Sequence, residues 1–227
     1  MNEVMIMVFT ALTVGAYLVS RWLFFRYGHP LFNMVLFGTI LMISLLVISG
    51  TPYSAYEPAK EFMTFLLGPA TVALAIPLYK NRELLRRHGL AIGGSVAAGS
   101  LTSMVLVVLL SKAGGLSQAV LISALPKSVT APIAIEIAQL SGGDPALAVA
   151  FVVATGTFGG SLGPTLLRWC GIRLPEARGL ALGTVAHAQG VGMALLEGEA
   201  SAAMASSAMA IAAIFTSLAA PVLLALL

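Results

Sequence analysis

Charge is what this chain has least of: 9% of its 227 residues are Asp, Glu, Lys or Arg, against 59% hydrophobic and a mean hydropathy of +0.98. So little polar surface excludes a soluble domain of this length and defines an integral membrane protein. Cysteine is nearly absent too, and Cys170 alone excludes an intramolecular disulfide and a cysteine-based metal site. No His/Cys/Asp/Glu group has metal-ligand spacing, so neither a metal nor another cofactor is expected. No serine has His and acid partners in spacing, so an enzyme is not expected. The net charge is +3, yet nine of the twelve basic residues fall in three short clusters between apolar segments. Orientation in the bilayer accounts for them, which leaves no basic patch for nucleic acid.

What is present is a series of apolar runs. A helix needs about 20 residues to cross a hydrocarbon core of about 30 Å, and 4–23, 31–50, 62–79, 90–110, 146–167 and 202–226 qualify as spans. The first has no basic region before it and Arg21 and Arg26 after it, which fits a retained helix rather than a cleaved signal peptide. Gly68-Pro69 and Pro77 interrupt the third. Two more segments are long enough but broken: 118–141 by Pro126 and Pro132, and 177–196 by Ala186-His187-Ala188-Gln189-Gly190.

The basic clusters choose the threading, because Arg21 and Arg26, then Lys80, Arg82, Arg86 and Arg87, then Arg168, Arg173 and Arg178 all belong on the cytoplasmic side. The first two clusters agree if the N-terminus is outside. The third agrees only if an odd number of crossings lies between 111 and 168, which favours 118–141 entering and leaving on the outer side over the alternative of eight elements with both interrupted segments crossing. By the same count 177–196 re-enters from the cytoplasm and the C-terminus is outside. The expected fold is an all-α polytopic membrane protein of about six transmembrane helices plus two re-entrant or broken hairpins, in one domain with N-terminal helices over 1–115.

A shift of 56 residues pairs Ser128-Val129 with Thr184-Val185, Leu140 with Leu196, Gly142 with Gly198 and Ser161-Leu162 with Ser217-Leu218. Residues 116–170 and 171–227 are thus candidate repeats, each one interrupted element followed by one span. One crossing per copy makes them inverted, as in secondary transporters whose broken helices meet near the bilayer midplane.

The breaks carry the polar chemistry. In Leu125-Pro126-Lys127-Ser128-Val129-Thr130-Ala131-Pro132 neither proline continues an incoming helix. Irregular backbone at membrane depth survives only where it lines a cavity or is buried in protein. Thr130 or Ala131 can cap a helix starting near Pro132 and ending at Gly142-Gly143, with its positive end toward Lys127, Ser128 and Thr130. A small carboxylate fits such a place. Thr184, His187, Gln189 and Gly190 form the counterpart in the second break. Glu136 either pairs with Lys127 or takes up a proton, and with His187 it is the candidate for proton coupling. Glu197 and Glu199 read as a solvated turn. The glycines at 89, 93, 94 and 99, and at 156, 159, 160 and 163, form small-residue packing faces.

The run from Leu125 to Glu136 resembles the hallmark of the LrgB/CidB family. So do Leu67-Gly68-Pro69-Ala70-Thr71-Val72 with Ala73 to Tyr79, Gly179-Leu180-Ala181-Leu182-Gly183-Thr184 with His187, and Ala220-Pro221. The resemblance implies a multi-pass protein of the bacterial inner membrane. Such proteins are described as holin- or antiholin-like regulators of murein hydrolase export and autolysis, acting with a small LrgA/CidA partner. It also implies small 2-hydroxy- or 2-oxo-carboxylates, because plant relatives export glycolate and glycerate and bacterial members are linked to pyruvate uptake. Where the family has a glutamate and an arginine after its histidine, this chain has Leu196 and Met193. The expected function is therefore alternating-access transport of a small monocarboxylate by a homo-oligomer, expected as a dimer. The alternative is a holin- or antiholin-like regulator.

Overall fold

The computed structural model describes residues 2–27, 34–66, 68–69, 72, 75–80 and 82–226, and among these every regular element is a helix. The chain divides into two compact units, Met1–Ala73 and Leu74–Leu227. In the first unit α1 (Asn2–Tyr27) packs against α2 (Met34–Ile48) and α3 (Tyr53–Phe65). Phe9 meets the Tyr56 ring edge-on at 5.8 Å. The expected span over 62–79 is not a single described helix. α3 ends at Phe65, helix resumes at α4 (Ala75–Lys80), and residues 67, 70, 71, 73 and 74 lie outside the described residues. Gly68 and Pro69 are described, helical and exposed, whereas the residues on either side of this pair lie outside.

The second unit continues with α5 (Arg82–Ala113), α6 (Gln118–Ala124), α7 (Ala131–Ser141), α8 (Pro145–Trp169), α9 (Pro175–Glu197) and α10 (Glu199–Ala225). By length and composition α1, α8, α9, α10 and the 89–113 part of α5 could each cross a membrane. For α9 the geometry says otherwise. Arg178 Nε donates to Glu197 Oε2 at 2.8 Å across 19 residues, whereas 19 residues of straight helix would separate them by about 28 Å. The chain therefore turns back within α9, and the turn is at His187, whose backbone sits at φ 42°, ψ −129°. Leu182 and Ala194, one on each arm, share a buried cluster with Ala205.

Residues 118–141 also fold back. Asp144 N–H donates to Ser123 Oγ at 2.7 Å across 21 residues, so α6, the turn at 125–130 and α7 form a second hairpin. Ser117 Oγ caps α6 from Val120 N–H, and α7 has Pro132 in its first turn and ends on Gly142 at φ 82°. That is where the sequence placed its start and stop. Both interrupted segments are re-entrant hairpins within an all-helical membrane protein.

Each hairpin leans on the span that follows it. Ser123 lies against Gly143 and Asp144. In the second hairpin a Cβ on Gly179 would overlap the Ser201 carbonyl and one on Gly183 the Ala205 carbonyl. Adding 56 to the first contact gives 179 against 199–200, within two residues of the second. The first arm of α9 thus runs parallel to α10. It runs antiparallel to α8, because Gly163 meets Leu182 and Gly159 meets Ala186. Hence α8 and α10 run in opposite directions, the relation that inversion of the two segments requires. Only the absent Cβ atoms let these backbones come so close.

Candidate functional site

The first hairpin's tip is built by prolines. Leu125, Pro126 and Val129 are almost completely buried, and short turn bonds, Lys127 N–H to Ala124 O and Val129 N–H to Pro126 O, replace the helical ladder. That irregular stretch turns Lys127 toward α5, where its ammonium donates to Ser103 Oγ at 2.6 Å. Ser103 Oγ and Ser128 Oγ lie 3.2 Å apart. Its partners are neutral hydroxyls, and among the described residues no carboxylate pairs with it.

The second tip rests on α8. His187 Nε2 lies 3.0 Å from the Val152 carbonyl, and the ring and the Gln189 amide fill the notch left by Gly156, 2.6–2.8 Å from where its Cβ would stand. Gly190 lets the second arm close on the first, since a Cβ there would overlap the Leu182 carbonyl.

Two contacts bring the tips together. Val152 touches both, since its carbonyl faces His187 and its side chain shares a cluster with Val129, Ala134 and Ala138 of the first hairpin. On α5, a Cβ on Gly99 would stand 3.3 Å from the Thr184 methyl, and one turn on, about 6 Å, Ser103 holds Lys127. Thr130, three residues from Lys127, and Ser100, next to Gly99 on α5, have buried hydroxyls with no hydrogen-bond partner, as do Thr157 on α8 and Thr10 in the first unit. Unpaired buried hydroxyls are costly and rare, so those beside the first tip and on α5 suit a polar guest.

The structure thus gathers Lys127, Ser128, Thr130, Thr184, His187, Gln189 and Gly190 where the two breaks meet, with Pro126 and Pro132 shaping the first tip. Three expectations are corrected. Glu136 makes no contact with Lys127; it is exposed on α7, whose opposite face buries Ala134, Ile137 and Ala138. Thr130 stands at the cap position, but its side chain makes no cap bond. Glu197 to Glu199 form an exposed turn as expected, but the Glu197 carboxylate is not left to solvent, for with Arg178 it closes the second hairpin's base. Arg178 Nη1 also donates to Ile172 O at 3.0 Å and Nη2 to Pro164 O at 3.2 Å. Thr184 is present, yet its hydroxyl is taken up by Leu180 O at 2.7 Å.

Ser100, Ser103 and Thr157 were not singled out from the sequence. The available signal was the helical spacing of Val96, Ser100 and Ser103 with Gly99 on one face of α5, in a segment otherwise read as packing. The glycine faces divide as well, because Gly156, Gly159 and Gly163 each meet a neighbour while Gly89, Gly93 and Gly94 meet nothing within 4 Å.

Two re-entrant hairpins meeting beside a membrane span, with a lysine at one tip and a histidine at the other, define a multi-pass membrane protein organised around a polar centre. The chain belongs to the LrgB-like family, whose model matches residues 13–226. It is 39% identical to the uncharacterised protein YxaC of Bacillus subtilis, over 91% of this chain and 90% of that one. It is 35% identical to the holin-like protein CidB of Staphylococcus epidermidis, over 95% and 94%, and equally so to the CidB of Staphylococcus aureus. No solved structure matches the chain.

Proposed function

We propose that this chain carries small monocarboxylates of the glycolate, glycerate, pyruvate and lactate class across the bacterial inner membrane by alternating access, with both termini outside. The carrying observation is the meeting of the two hairpin tips, where Lys127 is held by neutral hydroxyls and the hydroxyls of Thr130 and of Ser100 on α5 lack partners. A carboxylate would pair with the lysine, and the hydroxyl or keto oxygen of such an acid would engage the free hydroxyls. His187 sits at the second tip, where a proton could couple to transport. We read the protein as a carrier rather than an enzyme, working as a homodimer. Protein in liposomes given radiolabelled acids tests this: uptake above empty vesicles, cut at least about tenfold by Lys127→Ala because a charge-assisted bond is lost, is the expected outcome. No uptake, or uptake unaffected by that variant, overturns it.

A second reading is favoured by the relatives, several of which are named holin-like protein CidB. In it the chain regulates membrane integrity and murein hydrolase export together with a small LrgA/CidA-type partner. The comparisons bear more directly on this reading, and the hairpin geometry on the first. Dye leakage or lysis on expression that persists in Lys127→Ala supports the holin-like role, whereas a phenotype that vanishes with that lysine ties it to the carboxylate site.

A further inference from the structure

Glu136 takes no part in the contacts described above. Glu136 is exposed on α7 and makes no ion pair among the described residues. It lines a groove of about 330 Å³ between α7 and α10, with Ile133, Ile137 and Leu140 as its apolar side and Ser141, Ser217 and Pro221 beside them.

The polar atoms of this groove are mainly acceptors. Pro221 lies inside α10 and has no N–H, so the carbonyl of Ser217, four residues earlier, loses its helical donor. The Ser217 hydroxyl is already donated to Ala213 O at 2.9 Å. With the Glu136 carboxylate this gives a negative, donor-hungry rim on an apolar trough.

Its depth follows from helix length. α10 has 27 residues, about 40 Å, against a core of about 30 Å, so each end projects by about 5 Å. Pro221 is four residues from the end of α10 at Ala225 and Glu136 five from the end of α7 at Ser141, about 6 and 7.5 Å along their axes. Rim and trough therefore lie at the boundary between headgroups and acyl chains.

We propose that this groove is a binding site for a phospholipid with a primary ammonium headgroup, its N–H donors on Glu136 and the Ser217 carbonyl and an acyl chain along Ile133, Ile137 and Leu140. A quaternary headgroup has no N–H to give, and an anionic one meets the carboxylate with like charge. The occupant is a lipid rather than a partner helix because the rim sits at headgroup depth and the groove holds only about 330 Å³. This site is separate from the hairpin tips, so it does not depend on what they carry.

The test is native mass spectrometry of the full chain, with wild type and Glu136→Gln compared in phosphatidylethanolamine, phosphatidylcholine and phosphatidylglycerol of identical acyl chains. Wild type should retain phosphatidylethanolamine about tenfold over phosphatidylcholine, the value of one charge-assisted bond, and Glu136→Gln should abolish the preference. Leu140→Trp, which fills the trough from an exposed position but keeps the carboxylate, should weaken retention of every lipid. Equal retention of the three lipids, a preference for phosphatidylglycerol, or a preference surviving in Glu136→Gln overturns the proposal. So does an oligomer that forms without lipid and dissociates in Glu136→Gln, which would give the groove to a second copy.

Discussion

The two hairpins share a plan and differ in how their bases are closed. In the first, one neutral bond, Asp144 N–H to Ser123 Oγ, joins the end of the second arm to the first. In the second, Arg178 binds Glu197 through two of its nitrogens and two backbone carbonyls besides, tying the hairpin to the end of α8 and the linker after it. The tips differ in the opposite sense. Lys127 is held only by small hydroxyls, whereas His187 is wedged against Gly156 and bonded to Val152. The second hairpin is thus fastened at both ends, and the first is fastened lightly at its base and leaves its lysine to neutral hydroxyls. Where two arrangements must interconvert, the lightly fastened element is the one that moves at least cost.

The comparison breaks most severely at the glycine contact that seats the fixed hairpin. Gly183→Leu should cost about 4 kcal/mol or prevent folding, since the new side chain meets the α10 backbone. Gly93→Leu, in open space, should change thermal unfolding in detergent hardly at all, and a large loss there would show that the contact is not specific. Next comes the clamp. The side chains of Arg178 and Glu197 are only 11% and 21% exposed, so Arg178→Ala should cost about 3 kcal/mol by stranding the carboxylate. Ser123→Ala should cost about 1 kcal/mol, the worth of a neutral bond. Equal losses in denaturation would erase the asymmetry of the two bases. Smallest is a difference at the second tip. His187 holds a positive φ that glycine tolerates freely, so His187→Gly should be more stable than His187→Ala by about 1 kcal/mol. The reverse order would mean that the tip relaxes once the ring is gone.

Much of this plan was legible in the sequence, for identifiable reasons. The prolines around Lys127 cannot sit in a helix interior, so a break there is forced by covalent chemistry. The arginine clusters turned that break into a hairpin, because orientation depends on the parity of crossings. The return at His187 was less visible, since histidine and glycine do not forbid a helix. The Arg178–Glu197 pair was missed because both residues look like ordinary loop charges until the fold-back makes them neighbours. Glu136 was misplaced by proximity in sequence: it is nine residues from Lys127, but on the face of α7 that turns away from the core. Ser100 and Ser103 show only the helical spacing they share with Val96 and Gly99, and nothing else separates their hydroxyls, or that of Thr157, from those that bond their own helix, as Ser207 does.

The fold-back of α9 bears on how the protein reaches its membrane at all. Its arms, Pro175 to Ala186 and Ala188 to Glu197, would extend only about 18 and 15 Å. Neither can bridge the bilayer alone, and each leaves one end in hydrocarbon with unpaired backbone groups. Insertion must wait until translation has produced both arms and Glu197 can neutralise Arg178, so the hairpin enters as a folded unit between spans already in place. The order of synthesis, α8 before and α10 after, is then part of the assembly pathway, and ending the chain at Ala186, which removes the second arm and Glu197, should leave the first arm of α9 outside the bilayer while the earlier spans insert.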